Sequence, residues 1–168
     1  MTELAVTLVL QVTLEPYLYC VVGAEMYPDW PDIGYWGDEA LKTQAIAARS
    51  YAMFRLQHPR SPYFTMYGDA RDQAYDCNRQ HPRATQAVKD TAGMIVVTDD
   101  PDFIAQYVNK CGQSFCPFCK GKSGHNEQTW TGRLCQFGVG VLAKQGLAYE
   151  EILQFYYGGD AEVRMYDE

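Results

Sequence analysis

An acid, Glu25, stands in the apolar and aromatic stretch Val21–Trp30 (VVGAEMYPDW), and the following stretch Glu39–Ala52 (EALKTQAIAARSYA) carries Lys42, Gln44 and Arg49 through an otherwise apolar pattern. One carboxyl among aromatics, with basic and amide groups on the next element, is a set that can hand a proton to a polar ligand. Pro16 suits the first turn of a helix, where its missing N–H is not needed, so Tyr17–Met26 is expected to be a short apolar helix stopped by Pro28 and Pro31. Glu25 then falls in the last turn, against the negative end of the helix dipole, and Tyr27, Trp30 and Trp36 are close enough in sequence to shield it from water. Both effects favour the protonated form. A carboxyl with a raised pKa is what glycosidic-bond cleavage uses to protonate a leaving oxygen. The plainer alternative is a half-exposed glutamate at a helix end.

The second stretch must position that acid. Asp38 is expected to cap its helix, and Leu41, Ala45, Ala48 and Ala52 form one stripe at helical spacing. Ile46 and Met53 make a second stripe, and Ala40, Ala47, Tyr51 and Phe54 a third. A helix apolar nearly all round is buried, so Lys42 and Arg49, which share one flank, need acceptors such as a carboxylate or a polar ligand. The alternative is a pair of basic stems snorkelling at the helix edge. Gln44 lies on the other side, near Tyr51 and Arg55.

Cysteines supply a second candidate chemistry. Cys111, Cys116, Cys119 and His125 are spaced C-x4-C-x2-C-x5-H, within the range of structural zinc sites, and Cys135 can replace His125 as fourth ligand. So thiolate-rich a set should be closed and structural, because catalytic zinc keeps a position open for water. Two alternatives stay open: disulfides, since the chain has six cysteines, and a redox CxxC, for which the thioredoxin-like βαβ context is missing. Cys20 and Cys77 are expected to be buried apolar residues.

The 168 residues, 47% hydrophobic, can bury a core without staples. Aromatic residues are 14% of the chain, with 13 Tyr, and aromatic faces suit sugar rings. A net charge of −7 argues against a nucleic-acid partner, whose footprint is a basic patch. No stretch reaches the length of a membrane span. The N-terminus has no basic n-region, and Leu4–Leu14 reads as a strand rather than a signal peptide. Downstream, Gln57–Tyr67 is expected to be a proline-punctuated loop, Arg83–Thr91 a helix closed by Gly93, and Met94–Thr98 with Phe103–Asn109 a hairpin. Gln136–Gln145 and Tyr149–Tyr157 read as helices and Ala161–Tyr166 as a last strand. The expected fold is one α+β domain over 1–168, with a central buried helix and a small antiparallel sheet.

Four blocks in order, LEPYLYCVVGAEMYPDW, EALKTQAIAARSYAMF, ATQAVKDTAGMIVV and LCQFGVGVLAKQGLAYEEILQFYYGG, resemble the stage II sporulation protein D family from Leu14 to Gly159. The resemblance implies a lytic transglycosylase of bacterial cell wall, or the related branch described as amidase enhancers. It places the catalytic acid on Glu25, substrate-groove positions on Lys42, Gln44 and Arg49, and the glutamine of a GMSQ-type motif on Gln136, with Trp130 where a histidine usually precedes that motif. It implies peptidoglycan glycan strands as substrate, a cell-wall amidase as a further partner, an extracytoplasmic location and no cofactor for catalysis. One acid suffices for such an enzyme, because the sugar's own 6-hydroxyl attacks the anomeric carbon and leaves a 1,6-anhydro ring, whereas a hydrolase needs two carboxylates. Family members that bind zinc use a Cys and a His-Cys pair after the long helix. The matching stretch, Phe64–Tyr75, has Tyr67, Arg71 and Asp72 there, so that site is absent and Cys111–His125 would be a different one. A non-catalytic wall-binding module or amidase enhancer is the alternative function, and a zinc-dependent amidase a weaker one.

Overall fold

A computed structural model describes residues 9–26, 28, 37–108 and 133–166. In chain order the elements are α1 (Leu14–Glu25), α2 (Asp38–Gln57), a 3-10 turn (Cys77–Arg79), α3 (Pro82–Asp90), β1 (Met94–Val97), β2 (Tyr107–Val108), β3 (Leu134–Cys135), α4 (Gln136–Lys144), α5 (Tyr149–Tyr157) and β4 (Glu162–Met165). The fold is α+β.

α2 is the axis of the core. Its three apolar stripes meet α1, α3, β1, α4 and α5 on different sides, and Ala40, Leu41, Ala45, Ile46, Ala47 and Ala48 are fully buried. Small alanines let neighbouring helices approach closely, while Leu41 and Ile46 fill the space between them. α1 starts three residues before the expected point, with Pro16 inside its first turn, and Glu25 is its last helical residue. Gly23 faces the 3-10 turn so closely that a Cβ there would run into the Arg79 carbonyl. Sequence spacing placed α4, α5 and β4 within a residue or so of their observed ends.

Several local expectations need correcting. Asp38 is the first residue of α2 and not its cap: Gly37 is the N-cap, without a side-chain bond, and the Asp38 carboxylate instead accepts from Arg83 Nη2 at 2.8 Å. The expected hairpin does not form. β1 pairs antiparallel with β4, from Met94 opposite Met165 to Val97 opposite Glu162, and just beyond this ladder the Asp99 N–H donates to the Asp160 carboxylate at 3.1 Å. The second half of the expected hairpin turns inward instead, where Phe103 meets the Tyr157 ring edge-on and the Tyr157 hydroxyl donates to the Gln106 carbonyl at 2.9 Å. Tyr107 and Val108 then pair in parallel with Leu134 and Cys135. The strand expected over Leu4–Leu14 ends within α1, and its described residues 9–13 have no regular structure. Cys20 and Cys77 are joined in a disulfide, which ties α1 to the 3-10 turn. Residues Cys111, Cys116, Cys119, His125 and Trp130 lie outside the described residues, as do Tyr27, Trp30 and Trp36.

Candidate active site

The end of α1 presents Glu25 to two donors from distant parts of the chain. The Ala74 N–H donates to Oε1 at 2.7 Å, and Gln136 Nε2 donates to Oε2 at 3.0 Å. Gln136 is the first residue of α4, and the β2–β3 pairing brings that helix start alongside. Cys135, fully buried, caps α4 by accepting the Gly138 N–H on its sulfur at 3.4 Å. Gln136 Nε2 also lies 3.3 Å from Gln44 Oε1, so Glu25, Gln136 and Gln44 form one row. Gln44 is fully buried, and its Nε2 has no hydrogen-bond partner among the described residues. Among the described residues the buried Tyr107 hydroxyl likewise lacks a partner, and it feels the nearby Gln73 amide.

Burial pushes the Glu25 carboxyl above its ordinary 4.5, and the Ala74 and Gln136 donors pull partly the other way. The site therefore favours the proton while remaining able to hold the carboxylate, the balance a group needs if it both gives and takes a proton. Tyr17 and Tyr107 both feel the Glu25 charge, and burial raises each well above the ordinary phenol value, so both stay neutral.

The segment that supplies the Ala74 amide is held from both sides. Asp72 accepts the Tyr51 hydroxyl at 2.5 Å, Arg60 Nη2 at 2.7 Å and the Tyr67 N–H at 2.9 Å, with Arg55 Nε at 3.3 Å. Burial alone would raise this carboxyl, but the bonds from Arg60, Tyr51 and Tyr67 outweigh it and hold Asp72 below the usual range. An ion-pair hub centred on Asp72 thus occupies this stretch of the chain. Among the described residues no group of three His, Cys, Asp or Glu is arranged to hold a metal.

Lys42 and Arg49 share one flank of α2, and Gln44 sits about 140° around from Arg49 at 3.6 residues per turn. Both cations have acceptors within the protein. Lys42 Nζ pairs with Glu39 at 2.8 Å. Arg49, fully buried, takes Glu15 through Nε at 2.7 Å and Nη2 at 2.9 Å, and also donates to the Met94 carbonyl at 3.0 Å and the Val88 carbonyl at 3.2 Å. The structure thus brings Glu25, Gln44 and Gln136 together and holds Lys42 and Arg49 on another side of the helix. Sequence reasoning missed Glu15, Gln73 and the Ala74 amide. Glu15 had a signal, an acid in the first turn of a helix where the dipole favours it. A backbone amide has none.

Compared with known proteins, residues 2–97 match the family described as stage II sporulation protein. A 46-residue stretch is 46% identical to an uncharacterized protein of Brachyspira hyodysenteriae, covering 27% of this chain and 11% of that protein. The matched stretch is thus a small part of that relative's length.

Proposed function

We propose that this chain, which belongs to the stage II sporulation protein D family and so to a cell-wall-related group, is a peptidoglycan lytic transglycosylase with Glu25 as its acid and base. The observation that carries the reading is the setting of Glu25: a largely buried carboxyl favouring its proton, with two donors ready for the anion. As the glycosidic C–O bond breaks, Glu25 gives its proton to the leaving oxygen. The carboxylate formed is stabilised by Ala74 N–H and Gln136 Nε2, in the manner of preorganised donors. It then takes the proton of the sugar's 6-hydroxyl as that oxygen bonds to the anomeric carbon and closes the 1,6-anhydro ring. The oxygens of the nearby acid Asp72 are taken up by Arg60, Arg55, Tyr51 and the Tyr67 N–H, which leaves that carboxylate a weak base and nucleophile and so a poor second group for a hydrolase.

The Cys20–Cys77 disulfide supports an extracytoplasmic location, since disulfides persist in oxidising compartments. Among the described residues no helix is long and apolar enough to cross a membrane. The Cys111, Cys116, Cys119 and His125 set enters this reading as a structural zinc site. The Cys135 sulfur faces the start of α4, which favours His125 as the fourth ligand.

One observation favours the second reading, a wall-binding module or amidase enhancer that cuts nothing itself: Lys42 and Arg49 are neutralised by Glu39 and Glu15, leaving them little charge with which to stabilise a reacting sugar. Glu25→Gln separates the two. The amide keeps the shape without the proton, so cleavage of purified glycan strands should vanish while binding remains; undiminished cleavage would remove Glu25 from the mechanism.

A further inference from the structure

Gln73 is fully buried, and both ends of its amide are engaged. Its Oε1 accepts the Tyr17 hydroxyl at 3.0 Å, and its Nε2 donates to the Ala48 carbonyl at 2.9 Å. Tyr17 lies two turns before Glu25 on α1, and Ala48 lies mid-way along α2. The side chain therefore pins its own backbone to both helices, and the next N–H along the chain is the one that Ala74 donates to Glu25 Oε1 at 2.7 Å. A filler of the same volume, such as Met or Leu, would avoid the cost of burying an amide. Only an amide fixes the segment by two directed bonds.

Resting on the reading of Glu25 as the proton-transfer group, we propose that Gln73 is a positioning residue that holds the Ala74 N–H on the carboxylate formed when Glu25 gives up its proton. The ties on either side hold the segment more coarsely, since Asp72 anchors the preceding residue through Arg60 and Tyr51 and the disulfide anchors Cys77 three residues on. Neither fixes the rotation of the Ala74 peptide plane. Gln73 does, because its side chain leaves the backbone immediately before that plane. Without it, Gln136 is, among the described residues, the one donor left to the carboxylate. Among the described residues the titratable groups that feel Glu25 are Tyr17 on α1 and Tyr107 on β2, both neutral, and the Asp72 charge that reaches Tyr17 is matched by Arg60 and Arg55. No cation there replaces the lost amide.

Gln73→Met keeps the length and volume and removes both hydrogen bonds. Tyr17→Phe is the milder perturbation, removing one of them at a half-buried position. Glu25 can be titrated directly by carbon-13 NMR on side-chain-labelled glutamate, its signal assigned by its absence in Glu25→Gln. The Glu25 midpoint should rise by about one pH unit in Gln73→Met and by less in Tyr17→Phe. The pH profile of glycan cleavage should move the same way, with kcat changed and KM not. A midpoint unmoved in both variants overturns the proposal. If Gln73→Met fails to fold, Tyr17→Phe decides alone on the same criterion. Because the titration needs no substrate, the two readings fail separately. A protein that cuts no glycan but shows the shifted midpoint loses the proposed activity and keeps the positioning role. One that cuts glycan with an unmoved midpoint loses only the positioning role.

Discussion

Opening the Cys20–Cys77 disulfide should lower the stability of the fold by about 4 kcal/mol. The bridge closes a segment of 57 residues that contains the whole of α2, and the loop-entropy relation for that length gives about 14 cal/mol/K, or about 4 kcal/mol at 25 °C. For a chain of this size each kcal/mol moves the melting temperature by about 2–4 °C, so a fall of about 8–16 °C is expected. Cys77→Ser is the cleaner perturbation, since Cys77 is exposed whereas Cys20 is buried, where substitution adds a packing loss. Melting is followed by circular dichroism for the wild type with and without a dithiol reductant, and for Cys77→Ser with and without it. Reductant should lower the wild type to the Cys77→Ser value and leave the variant nearly unmoved. A variant melting within about 1 °C of the oxidised wild type, far inside the expected shift, would refute the reasoning.

Glu15→Ala should cost about 3 kcal/mol in denaturant unfolding, the lower end for breaking a buried pair because Glu15 is 30% exposed. Adding Arg49→Met should recover part of that loss; a further loss would contradict the account. Glu25 has a raised pKa in the folded protein, so it favours folding below its unfolded value and loses that contribution as pH rises through the folded one. Glu25→Gln should therefore melt progressively higher than the wild type as pH climbs above 4.5, and a difference that shrinks over that range would show the sign to be wrong. The purified reduced protein should carry one zinc through Cys111, Cys116, Cys119 and His125. Elemental analysis without metal, together with a mapped disulfide at Cys116 or Cys119, would decide against it.

What the sequence made legible is what repeats locally. The stripes of α2 report its burial because helical period and apolar composition are properties of neighbouring residues. α5 was readable to the residue because an acidic first turn and a following glycine mark its ends. Pairing was not readable: β1 and the 103–109 segment are neighbours in sequence, but β1 finds its partner in β4, across α4 and α5. The same limit hid the disulfide, since nothing about Cys20 points to a residue 57 positions on. At the candidate site, Glu25 was readable as an acid at an apolar helix end. The family resemblance named Gln136 as a site residue, but its meeting with Glu25, 111 residues away, was not readable from either resemblance or spacing. Gln73 and the Ala74 amide carried no signal, because their role depends on which two helices the segment lies between.

The most direct test of Glu25 acting alone as acid and base is mass spectrometry of the fragments released from purified glycan strands in oxygen-18 water, by the wild type and by Glu25→Gln. The wild type should release fragments ending in a 1,6-anhydro sugar with no label, and the variant should release none. Fragments with a reducing end that has taken up the label would mean that water is the nucleophile, and the single-acid account would be wrong.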